Sequence, residues 1–255
     1  MNERYMRIDD IPAKIYEGGN AKRAVIALHG FGGSKESFAI KQLAQRLCGR
    51  GFSVVAIDWR GHGERVREFP QLSVEGCIED MKAAERWIAE NVSDNLSVFA
   101  TSFGGYIALL RGEMGGAPFR RLALRVPAVN MADSLVSCAR VTAREGADNA
   151  AVLDRAKKEG FFRVRTSEEF RVPFSFYERL TENSAVRSFS SLACLPTAVV
   201  YAENDELVRR EDTERFLALN PAVRAKVIPA CGHRMAESAE KLGEALDFAA
   251  EFLAE

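Results

Sequence analysis

The sequence predicts an α/β protein in which a mostly parallel central sheet carries helices on both faces. Three observations point there. Short apolar runs rich in β-branched residues alternate with amphipathic helical patterns along most of the chain. Those runs lack the in-out alternation of a half-exposed strand, as expected of strands covered on both faces. The alternation breaks in one block, residues 127–191, and then resumes, which predicts a small cap insertion.

Taken in order, "RAVIALH" (Arg23 to His29) reads as a buried strand. "SFAIKQLAQRLCGRG" follows as a helix, with Ile40, Leu43 and Leu47 on one face and Gly51 as a stop. "FSVVAID" is the next strand, and "VEGCIEDMKAAERWIAENV" places Val74, Cys77, Ile78, Met81, Ala84 and Ile88 along one helical stripe. "LSVFAT", a helix after Gly105 and a strand around "RLALRV" complete the first run of βα units. The block from Pro127 mixes helical segments, a charge run at "LDRAKKEG", and the aromatics Phe161, Phe162, Phe170, Phe174, Phe176 and Tyr177. Regular pattern returns with "PTAVVYA", a helix over Arg209 to Leu219, "RAKVIPA", and a closing helix striped by Leu242, Ala245, Leu246, Ala249 and Leu253. The expected division is therefore a core of residues 1–126 and 192–255 with 127–191 as the insertion.

Bulk properties narrow the function. The 255 residues carry 35 basic and 36 acidic side chains, a net charge of −1 that favours neither nucleic acid nor an anionic membrane as partner. No apolar run approaches the roughly 20 residues that span a bilayer. The N-terminus has acids early and no apolar signal region, so a cytoplasmic protein is expected. Five dispersed cysteines without a Cys-x-x-Cys pair suit a reducing compartment and argue against structural zinc.

Ligands on open parallel sheets bind beyond the carboxyl ends of the strands. Four such ends carry unusual residues: His29-Gly30-Phe31-Gly32-Gly33, Ser102, the "ENDELV" run around Asp205, and Cys231-Gly232-His233. A serine hydroxyl is a weak nucleophile at neutral pH and needs an adjacent base, a task suited to His233. An acid, with Asp205 as the candidate, would orient the imidazole and stabilise the imidazolium. Backbone N–H groups of Phe31 and Phe103 are candidate oxyanion donors; losing one such donor costs about 3–4 kcal/mol of transition-state stabilisation. Gly30, Gly32 and Gly33 would permit the close backbone approach.

The ordered motifs "LHGFGGS", "DWRGHGE", "ATSFGGY", "AENDELV" and "CGH" resemble those of α/β-hydrolases over nearly the full chain outside the insertion. "DWRGHGE" followed by "SVEGCIEDMKAAERWI" is similar to bacterial esterases of the cinnamoyl and feruloyl type. The resemblance implies the α/β-hydrolase fold, the order Ser102, Asp205, His233 as a catalytic triad, and a cap between strands six and seven. The departure from Gly-x-Ser-x-Gly is Ala100, where one extra methyl group must fit beneath the following helix.

Plainer readings stand beside these. Ser102 taken alone reads as a turn serine capping a helix. Glu203, Glu206 and Asp133 compete with Asp205 as the acid. His29 and His62 have structural explanations in the "HG" and "RGHG" turns, and Asp58 reads as an organiser of the latter. Cys231 suits packing better than thiol chemistry. "GFGGSK" fails as a phosphate loop because Lys35 stands where the last glycine belongs. The aromatics of the insertion serve either as its own core or as an acyl-binding wall. The expectation is a serine hydrolase that cleaves a small-molecule carboxylic ester through an acyl-enzyme, with no metal or organic cofactor. A peptidase or thioesterase with the same triad, and a non-catalytic hydrolase-like binding module, are the alternatives. Oligomeric state is left open.

Overall fold

A computed structural model describes residues 1–19, 21–116, 118–143, 148–165, 169–183 and 186–255. Its strands are β1 (Asn2–Ile8), β2 (Ile11–Glu17), β3 (Arg23–Leu28), β4 (Phe52–Ile57), β5 (Leu96–Thr101), β6 (Phe119–Arg125), β7 (Phe161–Arg165), β8 (Glu169–Pro173), β9 (Thr197–Ala202) and β10 (Arg224–Ile228). Its helices are α1 (Phe38–Cys48), α2 (Val74–Asn91), α3 (Phe103–Glu113), α4 (Met131–Ala143), α5 (Asn149–Glu159), α6 (Phe174–Thr181), α7 (Arg210–Leu219) and α8 (Ala239–Ala254). Among the described residues, eight strands form one sheet in the order β1-β2-β4-β3-β5-β6-β9-β10. The pairs β1/β2 and β2/β4 are antiparallel, and every pair from β4 to β10 is parallel. The antiparallel N-terminal hairpin is an addition to the elements that the sequence pattern predicts.

Each central strand feeds two cores because successive side chains leave opposite faces. In β3, Ala24, Ile26 and Leu28 join Val98, Ala100 and the buried stripe of α2 and α3. Val25 and Ala27 face the other way, against Ile40, Leu43 and Leu47 of α1 and Leu246, Ala249 and Leu253 of α8. The run "VIAL" is therefore apolar throughout rather than alternating. Helix starts carry their own signals: Ser73 caps α2 by accepting from the Gly76 N–H at 3.1 Å, and Ser238 caps α8 through the Lys241 N–H at 3.3 Å.

Between β6 and β9, the sixth and seventh strands of the sheet, the chain forms α4, α5, the β7–β8 hairpin and α6. Asp148 caps α5 and Gly160 ends it in the left-handed region at φ 81°. The charge run lies on an exposed face of α5, whose Val152 and Ala156 point inward. Two aromatic roles separate here. Phe162, Phe174 and Tyr177 pack on one another with ring centroids 5.3–5.8 Å apart, a core internal to the insertion. Phe170 instead reaches Phe31 and Phe69 on the sheet side, at 6.1 and 5.1 Å. No described helix is long and apolar enough to cross a membrane.

Candidate active site

β5 ends at Thr101, and Ser102 turns the chain into α3 with φ 51° and ψ −113°. A non-glycine residue at positive φ is strained, and such strain concentrates where a side chain must be presented. The turn is held by the backbone. The Ser102 N–H donates to the Arg125 carbonyl at 3.0 Å, and the Ser102 carbonyl accepts from Tyr106 and Ala128 N–H groups at 3.1 Å each. Ser102 makes no side-chain cap to α3, so its hydroxyl is not engaged as a helix-capping group.

Tight packing explains the surrounding small residues. A Cβ on Gly104 would lie 2.7 Å from the His29 carbonyl oxygen, and one on Gly30 would lie 3.2 Å from the Ser102 Cβ. Helix α3 can approach the end of β3 only without those side chains. Ala100, by contrast, is fully buried within the core beside Leu28 and Leu124, its strand partners. The extra methyl group is absorbed as ordinary core.

His233 lies on the loop after β10 and Asp205 on the loop after β9. The Ser102 hydroxyl donates to His233 Nε2 at 3.0 Å. His233 Nδ1–H donates to Asp205, 2.8 Å from Oδ2 and 3.0 Å from Oδ1. Asp205 Oδ1 also accepts from the backbone N–H groups of Leu207 and Val208 at 2.9 and 2.8 Å, which pins the carboxylate. The two side chains are 4% and 9% exposed, so the pair interacts in a weakly screened environment.

The competing acids lie elsewhere. Glu203 accepts from the Ala230 N–H, Glu206 accepts from the His233 backbone N–H at 2.9 Å, and Asp133 pairs with Arg209. Glu206 thus fixes the histidine's loop and Asp205 its ring. Cys231 is buried, its thiol donates to the Ile228 carbonyl at 3.3 Å, and burial pushes its pKa up, away from thiolate chemistry. Lys35 is also buried, bound to Asp58 at 3.0 Å and to Glu64, so "GFGGSK" ends in a structural ion pair.

Phe31 and Phe103 flank Ser102 with rings 5.8 Å apart, edge to face. The Phe103 N–H lies in the first turn of α3, where an α-helix leaves its amides without intrahelical partners. The other two histidines are buried and neutral. His29 donates from Nδ1 to the Gly30 carbonyl at 2.7 Å and accepts at Nε2 from the Trp59 N–H at 3.4 Å, and burial lowers its pKa to about 4. His62 donates from Nδ1 to the Arg60 carbonyl, and burial takes its pKa to about 3.

Above Ser102 opens a cleft of about 810 Å³. Its lining includes Phe31, Phe38, Val66 and Phe170, the residues Met131, Leu135, Cys138 and Val141 of α4, and the charged Glu36, Arg165, Glu206 and Arg234. The α4 contribution was missed by sequence reasoning, because a helix that lines a cleft has the same apolar periodicity as one that lines a core.

The comparisons agree with this architecture. The sequence profile of the Alpha/beta hydrolase family matches residues 25–245. The sn-1-specific diacylglycerol lipase ABHD11 of Xenopus tropicalis is 25% identical over 159 residues, 48% of this chain and 49% of that protein. The match thus spans about half the length of this curated relative. A putative hydrolase from Agrobacterium vitis S4 superposes with a TM-score of 0.75 at 14% identity, covering 99% of this chain and 98% of that one. Est1E from Butyrivibrio proteoclasticus gives 0.71 at 15%, covering 100% of both chains. The Pyrococcus furiosus esterase Pf2001 gives 0.66 at 18%, covering 99% and 91%. At these identities the structural likeness is one of fold. The profile match over most of the chain carries the conclusion that this protein belongs to the α/β hydrolase family.

Proposed function

We propose that the protein is a serine hydrolase of carboxylic esters in which Ser102, His233 and Asp205 act as the catalytic triad. The observation that carries this reading is the unbroken chain of hydrogen bonds from the Ser102 hydroxyl through both imidazole nitrogens to a buried carboxylate. Ser102 Oγ attacks the ester carbonyl carbon while its proton passes to His233 Nε2. The carbonyl electron pair collects on oxygen, facing the Phe31 and Phe103 N–H groups. Collapse of the tetrahedral adduct breaks the ester C–O bond, and His233 returns its proton to the departing alkoxide. Water, deprotonated by His233, then releases the carboxylic acid and regenerates Ser102.

The apolar part of the cleft lining, Phe31, Phe38, Phe170 and the α4 residues, supports an acyl or aryl group of modest size, with residues 127–191 serving as the cap. Ferulic acid has been seen bound to Est1E, a structural neighbour, which makes hydroxycinnamate esters the aryl candidates. The free cysteines suit a reducing, cytoplasmic setting.

A substrate panel tests the reading: p-nitrophenyl esters of increasing acyl length, methyl hydroxycinnamates, matched thioesters and aminoacyl amides, with Ser102→Ala as control. Short acyl or aryl esters are expected to turn over fastest, and only with Ser102 present. Faster amide or thioester turnover would point to a peptidase or thioesterase, and folded wild type inert to all four classes would favour a binding module.

A further inference from the structure

Outside the triad, one buried charge lacks an evident structural reason. Arg125 is the last residue of β6, which lies between β5, the strand leading to Ser102, and β9, the strand leading to Asp205. It is 8% exposed. Its Nη1 donates to the Arg234 carbonyl at a long 3.4 Å, and its Nε is buried with no hydrogen-bond partner. Among the described residues, none of its nitrogens comes within ion-pair distance of a carboxylate, unlike the buried Arg111, which pairs with Glu85 at 2.9 Å. Arginine is almost never buried unless paired, because removing its charge from water is costly. A sheet that needed only packing here would carry another aliphatic residue, as it does at Leu124.

Its contacts reach Ser102 and the loop that carries His233, and its strand neighbours the one that leads to Asp205. The Arg125 carbonyl accepts the Ser102 N–H. The next residue, Val126, is β-branched yet held at φ 43°, with its N–H on the Val200 carbonyl at 2.7 Å, so the backbone is fixed in a strained conformation where the side chain departs. Nη1 engages the residue that follows His233. Burial draws the guanidinium's pKa down to about 10, and Asp205 is the carboxylate whose charge opposes that fall.

We propose that Arg125 is a positioning residue of the hydrolytic site, its buried cation balancing the Asp205 carboxylate and its Nη1 holding the loop that carries His233. This rests on the triad reading above. Buried like and unlike charges act over longer distances than exposed ones. A buried cation at the end of β6, the strand next to β9, would offset the cost of burying the Asp205 carboxylate before any imidazolium exists, leaving Asp205 free to orient His233.

The test uses Arg125→Met, Arg125→Gln and Arg125→Lys beside wild type and Ser102→Ala. A fluorophosphonate probe gives both a labelling rate constant and an end-point, and a p-nitrophenyl ester gives kcat and KM. The end-point counts folded, competent molecules; the rate constant reports how well Ser102 is activated. R125M and R125Q are expected to reach the wild-type end-point with labelling rate and kcat both down roughly tenfold or more, and KM within about twofold. R125K is expected to recover most of the rate. R125Q keeps a donor for Arg234 without the charge, so it decides the matter if R125M does not fold. Unchanged rates in R125Q, losses that only follow the end-point, or R125K as slow as R125Q would each overturn the proposal. Folded wild type that fails to label, or S102A that labels equally, would instead sink the triad reading and this proposal with it.

Discussion

Two strand ends in this molecule each supply a buried aspartate and lie beside a buried histidine, and only one arrangement is equipped for chemistry. After β4, Asp58 is fully buried and wholly engaged: Oδ1 accepts the Lys35 N–H at 2.7 Å, and Oδ2 accepts from Lys35 Nζ and from the Glu64 N–H at 3.0 Å each. Its neighbour His62 stacks between Phe103 and Phe170 and keeps Nε2 buried without a partner. After β9, Asp205 holds two backbone amides with Oδ1 and turns both oxygens, Oδ2 the closer, to His233, whose Nε2 meets the Ser102 hydroxyl in the cleft lining. The same two residue types form a staple in one place and, on the proposed reading, a proton relay in the other. What separates them is whether the histidine has an acid on one nitrogen and access to a reacting group on the other.

The largest expected difference between the two regions is catalytic. Asp205→Asn should lower kcat for ester hydrolysis by roughly 10³–10⁴-fold through loss of the tautomer that presents Nε2 to Ser102. Asp58→Asn should leave kcat of the folded enzyme within a few fold. Steady-state kinetics on purified, folded variants checks both, and a thousandfold loss in Asp58→Asn would erase the distinction.

Stability should invert that order. Asp58→Asn strips the buried Lys35 of its buried counter-ion and leaves only the half-exposed Glu64. The cost should be about 3 kcal/mol in urea unfolding, the low end for breaking a buried pair. Asp205→Asn should cost less. Equal losses would mean that both aspartates serve the fold alike.

A third test concerns acid. His29 and His62 have pKa values lowered by burial to about 4 and about 3, from an ordinary 6.5. Below pH 6.5 the unfolded chain takes up protons that the folded chain refuses, so stability is present above 6.5 and is lost as pH falls toward 4 and 3. Each histidine contributes a slope of about 1.4 kcal/mol per pH unit in that window. His62→Phe should therefore lose less stability than wild type between pH 6.5 and 4.5, measured by urea titration at each pH. Parallel curves would contradict the buried, neutral assignment.

The smallest effect is expected at Phe170, which lines the cleft from the insertion and packs on Phe31. Phe170→Ala should raise KM for aryl esters several-fold with kcat little changed, as loss of uniform binding does. Loss in kcat alone would place the ring in transition-state contact.

Much of this was legible because strand-end chemistry writes itself into short strings. "ATSFGGY" and "CGH" need their small residues for close backbone approach, and Gly104 against the His29 carbonyl shows why. What was not legible obeyed weaker local rules. The edge strand β1, "NERYMRI", is exposed along most of its length and carries no apolar signature. The β7–β8 hairpin alternates Phe162 and Val164 inward with arginines outward, but over strands of only five residues each. Arg125 did offer a signal, a charge closing the otherwise apolar run "LALRV"; its meaning depends on which strands flank it, and that is a property of topology. The aromatics of the insertion divided for the same reason: Phe162 and Phe170 look alike in the chain and face different neighbours in space.

The central claim is that Ser102 is activated through His233 by Asp205. Mass-spectrometric mapping of a fluorophosphonate adduct on the folded protein tests it most directly. A single adduct on Ser102, formed at least a hundredfold more slowly in Asp205→Asn and at wild-type rate in Asp58→Asn, is the expected result. An adduct on another residue, or equal rates in wild type and Asp205→Asn, would contradict it.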